Sequence, residues 1–271
     1  MKNKIIIVSV LFSISILTFL YVFRDGVIAK NEPNIKHNVT ELKTEKEEKK
    51  KKEKNINQEK DEMQNKKIVY LTFDDGPGIY TQEVLSILKK ENIKATFFVI
   101  GPHAEKFPNL IKSETDAGHY VGLHSMTHDY KKLYTQGEFV SEMKQVQQIL
   151  QSIIQKNPVL CRPPYGSKPG LTQNLRDETS KSGFKIWDWT IDSLDWKYNK
   201  MSIEESVPKI VENVVSQANH EKEVILMHDI HPQSVKALPV IIQALKSKEY
   251  IFKAYSEKEH VTLNFWHDNR L

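Results

Sequence analysis

Side chains able to hold a metal or move a proton recur at the ends of short apolar runs. Asp74 and Asp75 end the first such run, His124 and His128 follow a second, and Arg162, Asp192, Asp195 and His228 with Asp229 follow later ones. Adjacent carboxylates on an extended chain point in roughly opposite directions, so Asp74 and Asp75 could divide the work, one on a metal and the other facing a substrate. Gly76-Pro77 then forces a turn. Asp-Asp-Gly-Pro is also an ordinary surface turn, and the apolar run feeding into it is what favours a site. His124-Ser125-Met126-Thr127-His128 has the i, i+4 spacing that would set two imidazoles on one face of a helical turn. With a carboxylate from another strand end, the pair would complete a His-His-Asp set. Three protein ligands leave a position for water, as in catalytic rather than structural zinc sites, and so suit metal-assisted hydrolysis.

Arg162-Pro163-Pro164-Tyr165-Gly166 is stiff and non-helical, because each proline fixes its own φ and restrains the residue before it. It is either a loop brace or a device that aims the Tyr165 N–H at an oxyanion while Arg162 pairs with a carboxylate. Residues 187–196 bring together Trp187, Trp189 and Trp196 with Asp188, Asp192 and Asp195. Aromatics among acids suit stacking on sugar rings, but tryptophans in such a domain are at least as often core; only Trp196 is assigned a site role. His228 is an imidazole whose pKa can be tuned around neutrality, or a satisfied structural histidine.

The elements that must position these groups are legible from periodicity. From residue 68 onward, short apolar runs alternate with helix-period segments, the pattern of βα units around a largely parallel sheet. Strands are expected at 68–73, 95–100, 120–123, 159–161, 184–191, 224–227 and 250–254, and helices at 81–91, 107–117, 138–154, 172–182, 203–218 and 235–246. In such architectures the C-terminal strand ends gather on one rim, where the residues above fall. Thr135-x-x-Glu138 and Ser202-x-x-Glu205 have capping-box spacing. Phe139, Met143, Val146, Leu150 and Ile153 form a helical core stripe. This folded domain spans residues 66–271.

Two further segments precede it. Residues 5–23 are 19 uncharged, mostly apolar residues after Lys2 and Lys4; as a helix they would reach about 28 Å, close to a bilayer core of about 30 Å. No clear cleavage pattern follows, so an uncleaved membrane anchor over 1–25 is favoured over a cleaved signal. The basic start should stay inside and the rest face outward. Residues 26–65 are a charged, solvated linker. A net charge of +4 from 39 basic and 35 acidic residues argues against a nucleic-acid partner. A single cysteine, Cys161, excludes an intramolecular disulfide framework and a cysteine-rich zinc site.

In order, Thr72-Phe73-Asp74-Asp75, His124-Ser125-Met126-Thr127-His128, Arg162-Pro163-Pro164-Tyr165, Asp192-Ser193-Leu194-Asp195-Trp196 and Leu226-Met227-His228 resemble the five motifs of the polysaccharide deacetylase family, also called carbohydrate esterase family 4 or the NodB-homology domain. The resemblance covers about residues 66 to 255 and implies an α/β fold, a distorted incomplete (β/α) barrel. It implies that Asp75, His124 and His128 hold a metal, usually Zn2+, with Co2+ or another divalent ion as alternatives. Asp74 would be the general base, held ionised by Arg162, and a metal-activated water would attack an acetamide carbonyl. The metal and the Tyr165 N–H would stabilise the oxyanion, and His228, paired with Asp195, would protonate the departing amine. Trp196 and Leu226 would wall the acetyl pocket.

The implied function is N-deacetylation of N-acetylglucosamine in peptidoglycan by a single-pass, outward-facing membrane protein, secreted if the anchor is cleaved, and monomeric. Chitin oligomers or an exported polysaccharide are alternative substrates. From other classes come a catalytically silent carbohydrate-binding module and a non-haem iron oxygenase, since two His and a carboxylate also form a facial triad. Residues 255–271 lie beyond the motifs and carry no assigned role.

Overall fold

Every residue from Val69 to Asp74 is buried, as expected for a strand covered on both faces in a parallel sheet. The structure is a computed structural model and describes residues 67–271. The expected anchor over 1–25 and the linker over 26–65 lie outside the described residues. Among the described residues no helix is long and apolar enough to cross a membrane.

The chain runs β1 (Lys67–Asp74), α1 (Thr81–Glu91), β2 (Thr96–Val99), α2 (Gly101–Lys106), α3 (Pro108–Asp116), β3 (Tyr120–Leu123), α4 (Phe139–Ile154), β4 (Leu160–Cys161), α5 (Gln173–Lys181), β5 (Lys185–Ile186), β6 (Ile191–Asp192), α6 (Ile203–Gln217), β7 (Lys222–His228), α7 (Pro232–Ser247) and β8 (Tyr250–Phe252). The strands pair in parallel in the order β5-β4-β3-β2-β1-β7-β6. Side-chain alternation sorts them into two layers. Val69, Leu71, Phe73, Phe97, Val99, Ile225 and Met227 join the large core shared with the helices. Tyr70, Phe98, Leu160, Trp187 and Val224 make a smaller cluster on the other face of the sheet, the inside of the curl. Thr72 and Asp74 share the alternation of Tyr70, so they point inward too.

Two departures from a regular barrel follow from strand length. With only four residues, β2 pairs with β1 at Thr72, Phe73 and Asp74, leaving the start of that edge without partners. Those backbone groups need partners, and β8 supplies them by pairing with Lys67, Ile68 and Val69. The strand expected over 184–191 divides in two: β5 pairs with β4 on one edge of the sheet, and β6 pairs with β7 on the other. Only residues 187–190 join them, a reach of at most about 18 Å at roughly 3.3–3.6 Å per residue, so the sheet must curl until its edges nearly meet. The C-terminal segment lies along the remaining gap, where Trp187 Nε1 donates to the Val261 carbonyl (2.7 Å) and Asp188 N to that of Leu263 (2.8 Å). This is the parallel α/β half-barrel expected from the motifs.

The helices match expectation to within about three residues, with α2 as an addition. Ser202 caps α6, accepting from Glu205 N at 3.2 Å. The box at Thr135 does not form: Lys131–Thr135 is a π-helical turn, and α4 begins after Glu138 without a side-chain cap.

Candidate active site

Asp74 is the last residue of β1 and is almost wholly buried. Its Oδ1 accepts from Arg162 Nη1 at 2.9 Å. Arg162, fully buried just after β4, also donates to Thr72 Oγ1 and to the carbonyls of Trp187 and Asp188, and its guanidinium lies 4.2 Å over the Phe98 ring. A buried cation is tolerable only when paired and hydrogen-bonded in this way.

Asp75 does not point away from Asp74 as an extended chain would require. Its φ of +70° takes the backbone out of the strand, and its carboxylate turns back toward the same cavity. Asp75 Oδ1 lies 3.4 Å from His124 Nε2 and 3.6 Å from His128 Nε2. The turn is crowded: a Cβ on Gly76 would overlap the Asp229 carboxylate. Asp229 itself is buried and accepts from Thr81 Oγ1, and burial pushes its carboxyl up to about 7.

The two histidines are brought together by a loop, not by the helical turn their spacing suggests. Ser125 and His128 both have positive φ (74° and 49°). What pins the loop is Glu142, buried on α4, which accepts from Met126 N (2.9 Å), Thr127 N (2.9 Å) and Thr127 Oγ1 (2.7 Å). His124 Nδ1 lies 2.7 Å from the Arg162 carbonyl, so it must carry the proton and donate. Tyr165 Oη donates to the His128 carbonyl (2.9 Å) and accepts from His128 Nδ1 (3.2 Å). Both Nε2 lone pairs are thereby left facing Asp75.

These three residues fit a divalent cation. Their ligand atoms lie within 4.8 Å of one another, and bonds of about 2.0–2.1 Å in a tetrahedron place donors about 3.4 Å apart. Asp75 Oδ1 is buried with no hydrogen-bond partner among the described residues, an orphan that a cation would satisfy. Burial alone would raise the Asp75 carboxyl, but the imidazoles of His124, His228 and His128 around it outweigh burial and hold it well below the usual range.

Across the cavity, His228 ends β7. Its Nδ1 is 2.7 Å from Asp195 Oδ1 and its N donates to Asp195 Oδ2 (2.8 Å); Trp196 N and Ser234 Oγ also donate to the Asp195 carboxylate, and Gln233 Nε2 to its backbone carbonyl. Burial pushes the imidazole down, yet the Asp195 charge and hydrogen bond win and push it up to about 10. His228 Nε2 is left 4.0 Å from Asp75 Oδ2.

A cavity of about 470 Å³ gathers Asp74, Asp75, His124, His128, Tyr165, Trp196, Leu226 and His228 in its wall. Arg162 and Asp195 stand fully buried behind it. The Tyr165 N–H, at a φ of +67°, has no acceptor among the described residues. Two residues were not foreseen. Trp189, given no site role by the sequence, lines the cavity. Glu142 could have been found, because an acid three residues after Phe139 and four before Val146 falls on the apolar stripe of α4. A depression of about 580 Å³ lies at the opposite strand ends, by Tyr120, Pro158 and Tyr255, without a ligand set among the described residues.

The polysaccharide deacetylase family model matches residues 39–187, which include the first three motifs. The peptidoglycan-N-acetylglucosamine deacetylase of Bacillus cereus is 57% identical over 206 residues, 76% of this chain and 76% of that protein. The crystal structure of the polysaccharide deacetylase Bc1974 from Bacillus cereus is similar with a TM-score of 0.75 and 57% identity, over 76% of this chain and 100% of that one. The family 4 carbohydrate esterase from Streptomyces lividans, in complex with acetate, has a TM-score of 0.61 and 34% identity, over 73% and 98% of the two chains.

Proposed function

Because the chain belongs to the polysaccharide deacetylase family, we propose that it removes N-acetyl groups from N-acetylglucosamine residues of cell-wall peptidoglycan. It is a hydrolase of N-acetyl amides. The observation that carries this reading is the convergence of three groups on one cavity: an orphaned Asp75 with two imidazoles, a second carboxylate clamped by Arg162, and a third imidazole held by Asp195. The name of the Bacillus cereus relative supports peptidoglycan as the polymer.

Asp75, His124 and His128 would hold the cation, Zn2+ in this reading. When bound, it supplies a nucleophile from water at neutral pH and polarises the amide oxygen. Asp74 Oδ2, free of Arg162 and 3.8 Å from His124 Nε2, faces the site and takes the proton from the attacking water. The Tyr165 N–H, held by the stiff Pro163-Pro164 backbone, donates to the oxyanion. His228, charged at neutral pH, gives its Nε2 proton to the departing amine, which is otherwise a poor leaving group. Trp196 and Leu226 wall the space for the acetyl methyl. A silent binding module would have no use for two proton-transfer groups so specifically supported, and the facial-triad alternative does not account for Asp74 and His228. The hydropathy of residues 5–23 supports an anchored, outward-facing domain, which a membrane-fractionation experiment tests.

The full-length protein with Zn2+ is expected to release acetate from N-acetylated peptidoglycan strands. Asp74→Asn should bind the metal with unchanged stoichiometry and lose activity by roughly 100-fold or more. Wild-type acetate release by Asp74→Asn would overturn the assignment of the base.

A further inference from the structure

The segment 255–271 takes no part in that chemistry, yet it is fastened to the most constrained wall of the cavity. Phe265 N donates to Asp188 Oδ2 at 2.6 Å, and Asp188 N donates to the Leu263 carbonyl, so the residue preceding Trp189 is fixed from both sides. The other bonds to the buried Asp188 carboxylate come from Ser167 N (2.8 Å) and Ser167 Oγ (2.6 Å), while Trp266 Nε1 donates to the Ser167 carbonyl (2.9 Å). Trp189 then meets the Phe265 ring edge to face, 5.2 Å between centroids at 81°. The Arg162–Gly166 loop sits directly on this pair: Gly166 has a φ of +83°, and a Cβ there would come within 2.9 Å of Phe265 Cε2 and 3.2 Å of Trp189 Cη2. Trp189 is only partly buried and shares the cavity wall with Asp74 and Tyr165.

Trp189 packs against the inner apolar cluster and also borders the cavity beside two carboxylates. An indole braced by Phe265 and lining the cavity offers what the apolar C–H face of a pyranose ring needs. Trp196 offers less, being 47% exposed at the surface and tied through Nε1 to Asp192 Oδ2.

We propose that Trp189 contacts the substrate as the stacking wall for the sugar that carries the acetamide, and that Phe265 of the C-terminal segment is the positioning residue that braces it. The proposal rests on the deacetylase reading for the nature of the substrate.

The test uses the full-length protein with Zn2+, chitotetraose as probe, steady-state acetate release for KM and kcat, and calorimetric Kd in an Asp74→Asn background. Trp189→Ala should raise KM and Kd about tenfold or more while kcat changes by less than about threefold, the pattern of lost uniform binding. Trp189→Phe should recover most of the loss, because a smaller ring still stacks. Phe265→Ala, which does not itself line the cavity, should raise both constants by an intermediate factor. Unchanged KM and Kd in Trp189→Ala would overturn the proposal. If Trp189→Ala fails to fold by circular dichroism, the other two variants decide: a kcat loss at constant KM and Kd in both overturns it. If the parent releases no acetate but binds chitotetraose in a Trp189-dependent way, the wall stands and the deacetylase reading falls. If the parent binds nothing, the wall falls as well.

Discussion

Burial lowers the His228 pKa, but the buried Asp195 carboxylate beside the imidazole outweighs it and raises it. Asp195 is fully buried, its oxygens accept from Ser234 and the His228 backbone, and its pair with His228 leaves Nε2 as the one imidazole atom turned to the cavity. A histidine raised to about 10 in the folded state contributes stability that is complete below its unfolded value of about 6.5 and is lost as pH rises through 10. For the metal-free protein, NMR of the His228 ring protons should show a titration near pH 10. Asp195→Asn should move it down by several pH units and slow acetate release by about 100-fold. A titration unmoved by Asp195→Asn would contradict the pairing. The ten residues expected from the motifs converge because each lies near the C-terminal end of a strand or just beyond one, where type and spacing are readable. Trp189 escaped because nothing local distinguishes it from Trp187, which is core.

At the scale of elements, ligand geometry is imposed by neighbours distant in sequence. The loop from His124 to His128 owes its shape to Glu142 on α4 and to Tyr165 after β4. The two imidazoles do meet, but through a loop and not through the helical turn that their i, i+4 spacing suggests. Glu142→Gln keeps the volume but cannot accept all three bonds with a full charge. It should weaken metal affinity about 10- to 100-fold, as loss of outer-shell support does, with the fold intact by circular dichroism. Zinc titration calorimetry measures this, and wild-type affinity would show that the loop holds its shape without Glu142. Strands buried on both faces announce themselves as apolar runs, which is why β1, β2, β3 and β7 were legible. The division of 184–191 was not, because β5 and β6 are two residues each and their partners β4 and β7 are set by the curl of the whole sheet.

For the whole molecule, an open barrel has an edge to cover and a mouth to leave accessible. The C-terminal segment covers the gap through Val261, Leu263 and Phe265, and the strand ends at the opposite end of β1 from its β8 pairing form the rim with the cavity. The proposed base, ligands and acid thus come from β1 and the turn after it, the loop after β3, and β7, with Arg162 and Tyr165 supporting them from the loop after β4, so the proposed chemistry depends on closure of the sheet as much as on any side chain. The central claim is that this cavity, loaded with a divalent metal, hydrolyses the acetamide of N-acetylglucosamine in peptidoglycan. Its most direct test is mass spectrometry of peptidoglycan fragments after incubation with the full-length protein, with Zn2+ and after chelation. The account predicts loss of acetyl groups from N-acetylglucosamine with metal and none after chelation or in Asp74→Asn. Fully acetylated N-acetylglucosamine in the metal-loaded sample, or equal loss after chelation, would contradict it.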